Sequence, residues 1–216
     1  MLQNRIDPFG NIIRTKARGS WMGNRGILHN DDQKILRPFK SIAWLTCKLE
    51  FNGRKRQVMA PNRYTELFFL DEAVSFAAGH RPCFECRRND FNRFKSFWLR
   101  GNPEYNFDEK TPIRKIDQIL HKERIDHHKS KVIFEESIKH IPNGSFVSFD
   151  NDAFLVLDQL MFLWSPSGYK KGIPLPDVNK LAVLTPKTIV NAYRAGYTVQ
   201  MAVVVPLWHP NTKRDR

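Results

Sequence analysis

The chain has 216 residues, 41% hydrophobic and 26% charged, with 16 Phe, 5 Trp and 5 Tyr. That composition excludes a chain disordered along its whole length, and a chain of this size buries roughly 70–75% of its unfolded surface, so it needs no disulfides to fold. Lys and Arg number 35 against 22 Asp and Glu, a formal net charge of +13, which makes nucleic acid the first partner to consider.

No apolar run approaches the roughly 18 residues of a membrane span, and MLQNRIDPFG lacks the regions of a secretory signal. The expectation is a cytoplasmic protein with no membrane contact. Three cysteines, two of them spaced as Cys83-x-x-Cys86, point to metal or thiol chemistry in a reducing compartment rather than to a disulfide framework.

Residues 1–41 show little periodicity; Arg14, Lys16, Arg18 and Arg25 are spaced among glycines, which reads as an ordered loop or basic arm. From Ile42 to Phe51 apolar and polar residues alternate, predicting a half-buried strand with Cys47 on its inward face. Asn52-Gly53 supplies a type I′ turn that would pair Phe51 with Arg54, Glu50 with Lys55, Leu49 with Arg56 and Cys47 with Val58, leaving a basic hairpin tip. Arg63–Leu70 reads as another strand. Asp71 is placed to cap a short helix over Glu72–Ala78, closed by Gly79. Phe91, Phe94 and Trp98 fall at helical spacing within Asn89–Leu99 and read as core.

After a linker over residues 100–111, Thr111-Pro112 predicts the start of a helix carrying Ile113, Ile116 and Leu120 on one side. Ser145–Phe149, Phe154–Leu157 and Leu160–Trp164 are short runs separated by turn formers, as in an antiparallel meander. A further strand over Leu181–Leu184 leads to a helix that begins at Thr185-Pro186 and ends before Gly196. The expected class is α+β, divided into a basic arm (1–41), a zinc-binding module (42–100), a linker and helix (101–142) and a β-rich unit with a C-terminal helix and tail (143–216).

Cys83 and Cys86 have the spacing at which two thiolates share one tetrahedral zinc ion at about 2.3 Å. Cys47, the one other cysteine, is the expected third ligand. His80 forms H-x-x-C-x-x-C with the pair, whereas His29 lies 18 residues before Cys47 and could approach on a neighbouring strand; water or an acidic side chain is the further alternative. His121, His127 and His128 with Glu123 and Asp126 read as a solvated, charged helix end.

Glu72-Ala73, Ala77-Ala78-Gly79-His80-Arg81-Pro82-Cys83 and Cys86-Arg87 resemble the zinc-binding domain of the Ada DNA-alkylation-repair protein over about residues 42–90. The resemblance implies that module's fold and its zinc. It also places Cys47 at the family's first cysteine, which accepts a methyl group from damaged DNA, and Phe51 where the family has its second. His80 falls at a family position that is not a ligand, which favours His29. With one cysteine missing, structural zinc is expected over methyl transfer. Tyr64–Asp71 through Arg87 also resembles a stretch shared within a family of bacterial proteins, which implies no activity.

The functional expectation is a zinc-stabilised nucleic-acid-binding protein, on DNA rather than RNA, without catalysis of its own. Phosphate contacts are expected from Lys48, Arg54, Lys55 and Arg56 on the hairpin and from Arg81, Arg87 and Arg88 around the zinc site. The alternatives are an alkyl acceptor at Cys47, a zinc-dependent hydrolase with an open coordination position, and a subunit of an assembly that docks through Trp164, Tyr169 and Trp208 of the C-terminal unit.

Overall fold

The computed structural model describes residues 1–54 and 57–202. Lys55, Arg56, Trp208 and the basic C-terminal tail lie outside the described residues. The elements run β1 (Gln3–Ile6), β2 (Ile12–Arg14), β3 (Trp21–Asn24), β4 (Leu45–Cys47), β5 (Leu67–Phe69), α1 (Glu72–Ala77), β6 (Arg81–Pro82), α2 (Arg88–Gly101) and α3 (Ile113–Arg124). They continue with β7 (Phe134–Ser137), β8 (Phe146–Phe149), β9 (Asp152–Leu157), β10 (Leu160–Ser165), β11 (Gly168–Pro174), β12 (Lys180–Val183) and α4 (Lys187–Arg194). Helices accompany two mostly antiparallel six-stranded sheets, ordered β2-β1-β5-β3-β4-β6 and β11-β10-β9-β8-β12-β7, an α+β architecture. No helix among the described residues is long and apolar enough to cross a membrane.

The first sheet departs most from the sequence reading. Where a loop or arm is expected, residues 3–24 form three of its strands, with the β1–β2 turn closed by Gly10 N–H on the Asp7 carbonyl at 2.9 Å. Arg5 and Arg25 are buried, so basic side chains that look solvated in the sequence face inward. The strand expected over Ile42–Phe51 shrinks to Leu45–Cys47, held between β3 and β6. Asn52 and Gly53 do take the positive φ values of a type I′ turn, 53° and 64°. Lys48–Glu50 do not extend the ladder; Leu49 is 50% exposed, while Phe51 returns to pack against the cysteines.

The second sheet contains the predicted meander, β8–β9–β10, and extends it by β11, which the sequence reading did not anticipate; all these pairs are antiparallel. Both Thr-Pro starts are displaced by competing hydrogen bonds, one local and one from the meander. Thr111 bonds Asp108 and Thr185 accepts the Phe146 N–H, so α3 and α4 begin with Pro112 and Pro186 at their caps. Asp71 caps α1 as expected, accepting the Val74 N–H at 2.8 Å, and its other oxygen accepts from the Tyr169 hydroxyl and the Ala202 N–H.

One apolar cluster joins both sheets: Leu67, Phe69 and Phe76 meet Phe94 and Trp98 of α2, Ile116 and Leu120 of α3, Phe146 and Leu155 of the meander, and Ile189 and Tyr193 of α4. Each large side chain buried there contributes about 1.5–3 kcal/mol of transfer free energy. Trp164 and Tyr169, expected as docking residues, pack against this same core.

Candidate metal centre

Strand pairing brings the cysteines together. β4 runs parallel to β6 with Leu45 opposite Arg81 and Thr46 opposite Pro82, so the next residues in register are Cys47 and Cys83. The Cys83 N–H donates to the Thr46 carbonyl at 2.9 Å and fixes that junction. A single turn, Cys83-Phe84-Glu85-Cys86, then returns the second thiol before α2 begins, with the Arg87 N–H on the Cys83 carbonyl at 3.0 Å.

The sulfurs of Cys47, Cys83 and Cys86 all lie within 4.8 Å of one another, and all three residues are buried. Three thiolates around one tetrahedral zinc would sit about 3.8 Å apart, given Zn–S bonds near 2.3 Å. The donor set suits a thiophilic divalent ion. Without a cation the sulfurs must share protons: Cys47 and Cys86 donate to Cys83 and hold it well below the ordinary thiol range, while the bonds to Cys83 and then Cys86 push Cys47 far above it. A divalent ion removes that conflict by replacing the protons. The Lys48 N–H, 3.4 Å from the Cys86 sulfur, adds a donor that favours the thiolate.

Neither candidate histidine joins the cluster, which among the described residues consists of the three cysteines. His29 is buried with Nδ1 2.6 Å from the Thr65 hydroxyl and Nε2 3.3 Å from the Ala60 carbonyl, so both ring nitrogens are engaged. His80 accepts from Arg25 Nε through Nε2 at 2.8 Å, between the rings of Trp44 and Phe69. The expectation of His29 as fourth ligand is corrected: residues 28 and 29 are tied to Thr65, so the approach that spacing allowed leads elsewhere.

A cavity of about 330 Å³ adjoins the sulfurs, lined also by Asn24, Phe51, Tyr64, Glu66 and Phe68. Glu66 is buried and one of its oxygens accepts the Met59 N–H at 2.8 Å. Sequence reasoning missed this residue; the available signal was a lone acid just before the apolar run Leu67–Leu70.

The basic residues separate into two groups. Arg81 is buried in a two-pronged ion pair with Asp117, both bonds 2.7 Å. Arg87 is buried against Glu72 and Asp90 with its guanidinium 3.9 Å from the Trp21 ring. These two are corrected from phosphate contacts to structural cations: their partners lie on α1, α2 and α3 and tie the helices to the cysteine loop. Lys48, Arg54 and Arg88 remain exposed, Arg54 beside Glu85 and Arg88 stacked on Phe84 at 3.5 Å. Asp126, His127 and His128 are exposed, as expected, whereas half-buried His121 packs edge-on against Phe39 and Trp44 and Glu123 accepts from Thr188.

Compared with protein-family models, curated proteins and solved structures, the chain matches none.

Proposed function

We propose that the chain is a zinc protein whose Cys47, Cys83 and Cys86 thiolates leave one coordination position to a small molecule in the adjoining cavity, and that it acts as a zinc-dependent hydrolase. The observation that carries this reading is a three-sulfur set, with no fourth protein ligand among the described residues, beside a cavity of about 330 Å³. Structural zinc sites are four-coordinate and closed, whereas catalytic ones keep a position open. When bound, zinc would supply Lewis acidity toward a polar group in the cavity. Glu66 is the proton acceptor in this reading: its carboxylate lines the same cavity and is anchored on one side by the Met59 N–H. Phe51, Tyr64 and Phe68 offer an apolar, aromatic wall for the substrate.

Cobalt substitution tests the open position. The Co²⁺ spectrum of the full chain should shift on adding azide, and metal content should survive His29→Ala and His80→Ala but not Cys47→Ala. An azide-insensitive spectrum, or loss of metal in either histidine variant, sinks the reading. The zinc-loaded chain should also hydrolyse p-nitrophenyl acetate faster than the metal-free chain, with Glu66→Gln at least about tenfold slower, within the range usual for general-base loss.

Residues 42–90 are read here as an Ada-type module that keeps three of that family's four cysteines. A second reading, a DNA-binding protein, draws on the net charge of +13, on exposed Lys48 and Arg54 at the cavity and on exposed Arg88. It requires affinity for duplex DNA that falls steeply with salt; with three phosphate contacts the slope of log K against log salt would be about −2.7.

A further inference from the structure

A second cavity, of about 150 Å³, is lined by Gly10, Arg25, Trp44, Arg124 and Lys131. Arg25, directly after β3, is 1% exposed. Its Nε donates to His80 and its Nη1 to the Gly10 carbonyl at 3.0 Å, while Nη2 is buried without a partner. Arg124, at the end of α3, donates to the carbonyls of Gly79 and Ile42, and its Nε is likewise buried without a partner. Both guanidinium groups lie against the Trp44 ring, at 3.7 and 4.1 Å. Lys131 spends one ammonium hydrogen on the Ala77 carbonyl, leaving two.

The countercharge falls short. Asp117, which attracts Arg124, is committed to Arg81. Asp7, held by the backbone and side-chain amides of Asn11, faces both Arg25 and Lys131, so one carboxylate answers three cations. His80 contributes no charge, since burial and then Arg25 and Arg124 keep it neutral. Burial, then the neighbouring cations, pull Lys131 down to about 7, and burial pulls Arg25 down to about 9. Gathering like charges out of water costs several kcal/mol per ion unless an opposite charge joins them.

We propose that this cavity binds the phosphate group of a small anion, held between Arg25 Nη2, Arg124 Nε and Lys131 Nζ. Donors from the residue after β3, the end of α3 and the segment that follows it suit a multiply charged oxyanion with several acceptor oxygens, and arginine is the residue suited to it. The size of the cavity favours phosphate or a small phosphate monoester. The site shares none of the sulfur cavity's residues, so either proposal stands or falls without the other.

Titration calorimetry on the zinc-loaded full chain at pH 7 and constant ionic strength tests it, using inorganic phosphate, ribose 5-phosphate and acetate. One-site phosphate binding, absent with acetate and at least about tenfold weaker in Lys131→Met (about 1.4 kcal/mol), is expected. Tighter binding of ribose 5-phosphate than of phosphate assigns the site to an ester; the reverse assigns it to the free ion. No saturable phosphate binding, equal binding of acetate, or an unchanged affinity in a folded Lys131→Met overturns the proposal. Should that variant not fold, the contrast between phosphate and acetate on the wild type decides alone.

Discussion

The two cavities draw on the same stretches of chain, since Met22 and Cys47 line one while Arg25 and Trp44 line the other. In the first, three thiols are packed so closely that they can all ionise only around a cation. In the second, three cations converge with too little negative charge to answer them. The apolar core explains neither arrangement, because each sets groups of one kind together at a cost that a core of similar volume avoids. The difference teaches that like groups set together around the first sheet mark two candidate sites for ligands of opposite sign, and that counting charge over the whole chain conceals both.

Removing the metal side of this comparison has the largest expected effect. Cys83→Ser takes away the sulfur on which the other two converge, and binding energy at such a site is folding energy. A loss of at least about 4 kcal/mol is expected, or about 8–16 °C in melting temperature at 2–4 °C per kcal/mol for a chain of this size. A chelator should reproduce much of that shift in the wild type and none of it in the variant. If the melts with and without chelator coincide, the sulfur cavity is a cluster of thiols and the contrast of opposite ligands collapses.

Next in size is the cost of breaking the ion pairs that frame the cysteine loop. Arg81→Met leaves Asp117 buried and unpaired and should destabilise the fold by about 3–5 kcal/mol in denaturant unfolding. Asp117 is also an attraction that Arg124 feels. The double variant Arg81→Met/Asp117→Leu should recover most of the loss, because it removes both charges. A single variant within about 0.5 kcal/mol of wild type would return Arg81 to the set of free cations available to a phosphate.

These buried pairs mark where the sequence ceased to be legible. Local signals were readable: the Asp71 cap, the Phe91, Phe94 and Trp98 stripe and the meander all depend on neighbours within a few residues. The three cysteines were also readable, since C-x-x-C spacing and one remaining thiol leave few choices. Pairings between distant residues were not. The parallel register of β4 with β6 that sets Cys47 beside Cys83, and the bond between His29 and Thr65, are decided by tertiary packing. Arg25, Arg81 and Arg87 looked like surface charge because composition does not record which arginines find Asp117, Glu72 or an aromatic face. Lys55 and Arg56 lie outside the described residues, so the expected basic tip is represented by Arg54 alone.

The smallest expected effect isolates the cationic cavity by its response to pH. The Lys131 ammonium, lowered to about 7 by burial and by Arg25 and Arg124, regains its ordinary value near 10.4 on unfolding. Between those values the unfolded chain binds the additional proton, so unfolding free energy rises with pH, by at most about 1.4 kcal/mol per pH unit for one group. Below about 7 both states carry the proton and the full penalty of the folded charge is present. The cysteines contribute in the same alkaline range, so the quantity to measure is the difference between wild type and Lys131→Met in phosphate-free buffer at pH 7, 8 and 9. Lys131→Met should be the more stable of the two at pH 7, because one of the crowded charges has gone, and the advantage should shrink as pH rises. Phosphate should oppose this trend, stabilising the wild type most where Lys131 is protonated. A constant difference across the three pH values would mean that Lys131 does not feel Arg25 and Arg124, and the cavity would then lack the charge excess on which the comparison rests.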